Sequence, residues 1–239
     1  MNVVSVKDYQ ELSEYTCNEI ERVVRSTPHS VLGLATGGTP LGTYREMING
    51  FKERNVDYRH VTTFNLDEYI GLGRDHPQSY YTYMMNNLFK HINVSPENIH
   101  IPNGSAEEMD SECLRYERLI EEIGPPDLQI LGIGSNGHIG FNEPGTSITS
   151  ETHIVELAES TRKANARYFS SLDEVPQHAI TMGIQSILKS KRILLLASGS
   201  HKAKAVKTLL ECLPDEQFPA SVLKGHGDVT LVVDESAGG

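Results

Sequence analysis

The chain alternates short, continuously apolar runs with longer stretches in which apolar residues recur every three or four positions. Val3 to Val6, Val31 to Ala35, Val61 to Leu66, Leu128 to Ile133, Ile193 to Ala197 and Val229 to Val233 are brief and rich in branched side chains, and read as strands. Most are apolar at every position rather than every second one, which predicts strands covered on both faces, as in a parallel sheet. Tyr9 to Ser26, Leu41 to Arg54, Ser79 to His91, Ala106 to Ile123 and Lys202 to Cys212 carry the helical period and read as crossover helices. The prediction is an α/β fold of three layers, doubly wound and Rossmann-like, around a mostly parallel sheet. No repeat, low-complexity tract or long linker divides residues 1–239, so one domain is expected.

Ligands of such sheets bind beyond the carboxyl ends of the strands, and four loops there are unusual. Thr36-Gly37-Gly38-Thr39-Pro40 follows a strand and precedes a helix. Adjacent glycines let backbone N–H groups approach a ligand, Thr39 suits an N-cap and Pro40 the first helical position. The loop reads either as an anion-binding helix N-terminus or as a plain tight turn. Asn65-Leu66-Asp67-Glu68-Tyr69 places two carboxylates at a strand end, where they are solvated or catalytic. Gly132-Ile133-Gly134-Ser135-Asn136-Gly137-His138 contains the spacing of a dinucleotide fingerprint, but Gly140, Pro144 and Gly145 forbid the helix that must open there. It reads instead as a glycine-rich loop presenting His138, with Glu143 near enough to fold back on it: an acid/base pair, or a structural histidine. Ser198-Gly199-Ser200-His201-Lys202 opens another helix; a lysine there opposes the helix dipole unless an anion binds beside it. Between the third and fourth loops come Arg162, Lys163 and Arg167, and most of these charges read as a solvated helical face.

A formal charge of −11 leaves no diffuse basic surface for nucleic acid or an anionic membrane, so an anionic ligand has to be drawn by local groups. Three widely spaced cysteines form neither a disulfide framework nor a zinc site, and point to reduced thiols in a cytoplasmic setting. The N-terminus lacks the pattern of a signal peptide, and no apolar run approaches the ~18 residues of a membrane span. The motifs GxSxG, HExxH and CxxC are absent, which leaves serine or zinc hydrolysis without support.

Taken in order, LGLATGGTPLGTY, TTFNLDEYIGL, LGIGSNGHIGFNEPG, TRKANARYF and LLLASGSHKAKA resemble the glucosamine-6-phosphate deaminases over most of the chain. DEYIGL and GHIGFNEP are the specific stretches; the TGGTP loop is shared with 6-phosphogluconolactonases. The resemblance implies aldose-ketose isomerisation with deamination in amino-sugar catabolism: glucosamine 6-phosphate and water give fructose 6-phosphate and ammonia, with no cofactor and no metal. It implies that His138 moves the proton that opens the sugar ring, with Glu143 orienting the imidazole and Asn136 assisting. Asp67 is implied to carry a proton from C2 to C1 through an enolamine. Gly37, Gly38, Thr39, Arg167 and Lys202 match the phosphate contacts of the family. A lid is also expected, with residues 142 to 160 as the candidate loop.

Two departures stand out. Many members carry Asp where this chain has Asn136, which shifts the stabilisation of a charged His138 towards Glu143. The chain stops at Gly239, short of the C-terminal segment of the hexameric, allosterically activated members, and His153 and Val155 replace their basic residues. Loss of that activation is the expectation. A 6-phosphogluconolactonase, which has no need of Asp67, and a non-catalytic phosphosugar-binding regulator are the competing readings.

Overall fold

The computed structural model describes residues 1–239, apart from the side chains of Ser160 and Ala164. In chain order the elements are β1 (Asn2–Val6), α1 (Tyr9–Ser26), β2 (Val31–Leu34), α2 (Leu41–Glu53), β3 (Thr62–Asn65), β4 (Asp67–Tyr69), α3 (Tyr80–Asn87), β5 (Ile99–His100) and α4 (Met109–Ile123). There follow β6 (Leu128–Gly132), β7 (His153–Glu156), α5 (Glu159–Asn165), β8 (His178–Thr181), α6 (Ile184–Leu188), β9 (Ile193–Ala197), α7 (Ala203–Glu211), β10 (Val229–Asp234) and α8 (Glu235–Gly238).

Seven strands form one sheet in the order β1-β10-β9-β6-β2-β3-β5, parallel at every pairing. The period of two along each strand divides the core. Ile193, Leu195 and Ala197 of β9 join one cluster with Tyr116 and Ile120 of α4 and Leu209 of α7. Leu194 and Leu196 join the opposite cluster with Leu12 and Ile20 of α1 and Met47 of α2. Continuous apolarity in the sequence thus reports helices on both faces, as expected. β1 departs from that expectation: Asn2, Val3 and Ser5 are exposed because the strand lies at the sheet edge.

From β2 the chain steps outward to β3 and β5, then returns to the other side of β2 for β6, β9 and β10. The switch opens a crevice between the β2 and β6 ends. Gly33 and Gln129 hold these strands close, since a Cβ on Gly33 would lie 1.9 Å from the Gln129 side chain.

A second, antiparallel sheet, β4-β8-β7, is one that the hydrophobic pattern does not predict. The chain leaves the large sheet after Asn65, turns at Leu66 and begins the small sheet at Asp67, whose register partner is Thr181. Met182 N–H donates to the Leu66 carbonyl at 2.7 Å and closes the seam. Beneath the small sheet, Tyr69, Phe141, Leu157 and Ala179 form their own apolar cluster.

Helix bounds differ from expectation where local geometry intervenes. The run Ser79 to His91 breaks after Asn87 into a 3-10 turn, and α7 is preceded by a 3-10 turn over Ser200–Lys202. Among the described residues no helix is long and apolar enough to cross a membrane.

Candidate active site

The ends of β2, β3, β6 and β9 surround a cavity of about 480 Å³, in the range of small-molecule sites. Asp67, His138, Gly37, Gly38, Thr39, Arg167 and Lys202 border it; Asn136 and Glu143 lie behind His138.

One end is built for an anion. Gly37 has φ +91°, which demands glycine, and a Cβ there would meet no atom within 4 Å, so the backbone turn rather than crowding sets the residue. Three carbonyls of the loop are tied away from the ligand side. Tyr83 donates to Gly37 O at 2.6 Å, and Tyr9 reaches Gly38 O and Thr39 O at 3.1 and 3.0 Å while accepting from Gly42 N–H at 2.7 Å. With the carbonyls held there, the loop N–H groups remain for a ligand at the start of α2. Thr39 is not the N-cap: that position falls to Pro40, with no side-chain cap, and in the first turn it is Tyr9 that meets the Gly42 N–H.

Lys202 faces the same end. Burial, and then the Arg167 guanidinium, hold its ammonium below the ordinary lysine range. A bound anion between the two cations relieves both effects. The loop leading to Lys202 is ordered by Asp234, which accepts from Gly199 N–H at 3.0 Å and from Ala237 N–H at 2.8 Å, bridging the loop to α8.

At the other end stands a relay. His138 Nδ1 lies 2.7 Å from Asn136 Oδ1, and Asn136 Nδ2 donates to Glu143 Oε2 at 2.7 Å. Glu143 Oε2 is 3.7 Å from the imidazole. The expected direct contact between Glu143 and His138 is therefore replaced by one through Asn136. The chemistry fixes every proton in it. Asn136 turns its NH₂ towards the Glu143 carboxylate and its oxygen towards His138, whose backbone N–H also donates to that oxygen at 3.2 Å. Nδ1 then carries the hydrogen, leaving the Nε2 lone pair free. Burial, with Lys202 adding to it and Glu143 opposing, holds His138 below its usual pKa, so the ring is neutral at neutral pH.

The two adjacent carboxylates divide sharply. Glu68 accepts from the N–H groups of Tyr69, Tyr80 and Tyr81 at 2.8, 2.9 and 2.9 Å, and so serves as the anion at the N-terminus of α3. Asp67 is buried and borders the cavity, and no donor among the described residues bonds its carboxylate. Burial, and then the Glu68 charge, push it up to about 8. Gly140, at φ +57°, leaves room beside it: a Cβ there would lie 3.1 Å from Thr181 Oγ1 and 3.5 Å from Asp67 Oδ2.

A buried base, a histidine of fixed tautomer and an anion cradle around one cavity are the setting in which the family match has meaning. A family model described as glucosamine-6-phosphate isomerases/6-phosphogluconolactonase matches residues 7–231. The chain belongs to this family.

It is 54% identical to a glucosamine-6-phosphate deaminase of Bacillus pumilus (strain SAFR-032), over 100% of this chain and 99% of that protein. It is 53% identical to glucosamine-6-phosphate deaminase 1 of Bacillus subtilis (strain 168), over 99% and 98%. A solved monomeric glucosamine-6-phosphate deaminase superposes with TM-score 0.98 at 53% identity, covering 99% of this chain and 98% of that one. The 6-phosphogluconolactonase of Thermotoga maritima superposes at 0.78 with 21% identity and shares the fold alone.

Within this family member, sequence reasoning missed the residues that hold the loops: Tyr9, Tyr83, Thr161, Thr181 and Asp234. Tyr9 and Tyr83 are remote from the glycine loop in the chain and carry no motif. Arg162, read as surface, instead donates to Leu172 O and Val175 O at 3.0 and 3.1 Å and clasps the segment after α5. Lys163 keeps the expected solvated role, pairing with Glu159. Thr161, Asn165 and Arg167 form part of the cavity wall. Away from the cavity, Glu117, Glu121 and Glu151 bring oxygens within 4.8 Å of one another, but Lys189 Nζ stands among them at 3.0, 3.4 and 3.7 Å and supplies the cation.

Proposed function

We propose that this chain, as one domain over residues 1–239 acting in the cytoplasm, converts glucosamine 6-phosphate and water to fructose 6-phosphate and ammonia. The observation that carries the reading is the placement of Asp67 and His138 on one cavity with the anion cradle. The 6-phosphate docks on the N–H groups of Gly37, Gly38 and Thr39 and between Lys202 and Arg167, which fixes the sugar by a group remote from the reacting carbons.

His138 Nε2, free and unprotonated, takes the proton of the anomeric hydroxyl and returns one to the ring oxygen as the pyranose opens. Asn136 holds the imidazole, and Glu143 holds Asn136 and offsets the transient positive charge. Asp67 then removes the C2 proton, O1 takes up a proton and the amine gives one up as the enolamine forms and collapses, and Asp67 delivers its proton to C1. The resulting imine at C2 is hydrolysed by water, leaving the ketose and ammonia. A carboxylate that titrates at about 8 is a far stronger base towards carbon than a solvated aspartate near ~3.9, so its burial serves the step directly.

The test is release of ammonia and formation of fructose 6-phosphate from glucosamine 6-phosphate by the parent and by Asp67→Asn. Equal amounts of both products, with turnover reduced at least about 100-fold in the variant, are expected. A well-folded parent that hydrolyses 6-phosphogluconolactone and leaves glucosamine 6-phosphate untouched overturns the reading.

A further inference from the structure

Thr161 occupies a junction to which no role has been given. It is buried, it borders the cavity, and its hydroxyl donates to Glu143 Oε1 at 2.5 Å. Oε2 of the same carboxylate receives Asn136, so the two lobes of Glu143 are held from opposite sides. Among the described residues Thr161 is the only donor to Oε1. Without it a partly buried carboxylate oxygen goes unpaired, and Glu143 is held from one side only, by Asn136. The His138 N–H still holds Asn136 Oδ1 at 3.2 Å, but the amide has lost its fixed partner on the other side, and the contact that sets the tautomer of His138 loosens.

Thr161 also belongs to the piece of chain that carries the phosphate grip. α5 runs directly into a 3-10 turn over Ala166–Tyr168, and Thr161, Asn165 and Arg167 all face the one cavity. Arg162 anchors this piece to the carbonyls of Leu172 and Val175. The Thr161 hydroxyl and the Arg167 guanidinium therefore move as parts of one short body.

We propose that Thr161 is a positioning residue that couples phosphate binding at Arg167 to the protonation pattern of His138. The inference rests on the functional reading above. The coupling works in both directions: phosphate that seats the α5 segment brings the hydroxyl to Glu143 and locks the relay, and a locked relay favours the seated segment.

The test compares Thr161→Val, which keeps the shape and loses the hydroxyl, with Thr161→Ser, which keeps the hydroxyl; Thr161→Ala replaces the valine variant if that does not fold. Ring ¹⁵N signals of His138, assigned with a His138→Gln sample, report the tautomer, and inorganic phosphate is the probe. In the parent and Thr161→Ser the Nδ1–H tautomer dominates and phosphate strengthens it. In Thr161→Val the tautomers mix and phosphate changes their ratio at least about twofold less; kcat falls about 10- to 100-fold, with KM within about threefold of the parent. A valine variant with the parent's tautomer and phosphate response overturns the proposal, as does a serine variant as impaired as valine. The tautomer and its phosphate response are read without turnover, so a parent inactive on glucosamine 6-phosphate sinks the functional reading while the NMR comparison still decides the role of Thr161.

Discussion

Gly134 and His138 meet with no space between them for a side chain. A Cβ on Gly134 would lie 2.2 Å from both Nδ1 and Cε1 of the imidazole, while the Gly134 N–H donates to the His138 carbonyl at 2.9 Å. The glycine is the floor on which the ring rests. Gly134→Ala must push the imidazole off Asn136, and a displacement of about 1 Å costs on the order of 10²-fold in rate. The expected outcome is that loss in kcat with inhibition by inorganic phosphate unchanged, read from steady-state kinetics.

Asp67 makes both activity and stability depend on pH. Its folded pKa, about 8, lies above the ordinary value, so between about 4 and 8 the folded state holds a proton that the unfolded chain has released. Stability therefore falls as pH rises through that window. Asp67→Asn removes the effect and should raise Tm by about 5 °C at pH 8.5 and by nothing measurable at pH 4. In the parent, kcat/KM should climb to a plateau through a group near 8, as the base ionises. Thermal melts of both proteins across the range, with a rate profile of the parent, check the pair of outcomes.

Asn136 carries more than the sequence assigned to it, because it is the direct partner of His138. Asn136→Ala frees the ring to take either tautomer, and kcat should drop about 10²-fold. Asn136→Asp keeps an acceptor for Nδ1–H but loses the donor to Glu143, so the two carboxylates share a proton and His138 titrates higher. Its kcat at pH 8 should stay within about tenfold of the parent, and NMR titration of the ring should show the upward move.

Tyr9 holds the phosphate loop by three contacts of one hydroxyl. Tyr9→Phe frees the carbonyls of Gly38 and Thr39 and strands the Gly42 N–H, at a cost of about 1 kcal/mol to the shape of the cradle. KM for glucosamine 6-phosphate and Ki for inorganic phosphate should rise together by about fivefold, with kcat within twofold. A change in kcat alone would place Tyr9 in the chemistry instead.

Continuous apolar runs such as ILLLA announced the large parallel sheet, because strands covered on both faces have no polar side to disguise them. The small sheet gave no such signal. β4 is three residues long and contains Asp67 and Glu68, and β7 has Ile154 and Glu156 exposed, so neither composition nor period marks them as strands. The glycine loops were legible because backbone geometry restricts the residues that can occupy them. What depends on distant partners was not: Glu68 differs from Asp67 only in the amides of α3 that reach it, and Thr161 from any helical threonine only in the carboxylate it touches. Arg162 looked like surface because a clasp on two carbonyls leaves no trace in the spacing of charges.

The seam at Leu66 has a mechanical meaning. Asp67 is the first residue of the small sheet and stands against the bond from Met182 to Leu66 that joins it to the large one. The small sheet leads through β7 into α5 and on to Arg167. Asp67 is braced from two sheets, through Leu66 on the side of the large one and Thr181 on the side of the small, and does not ride on a free loop.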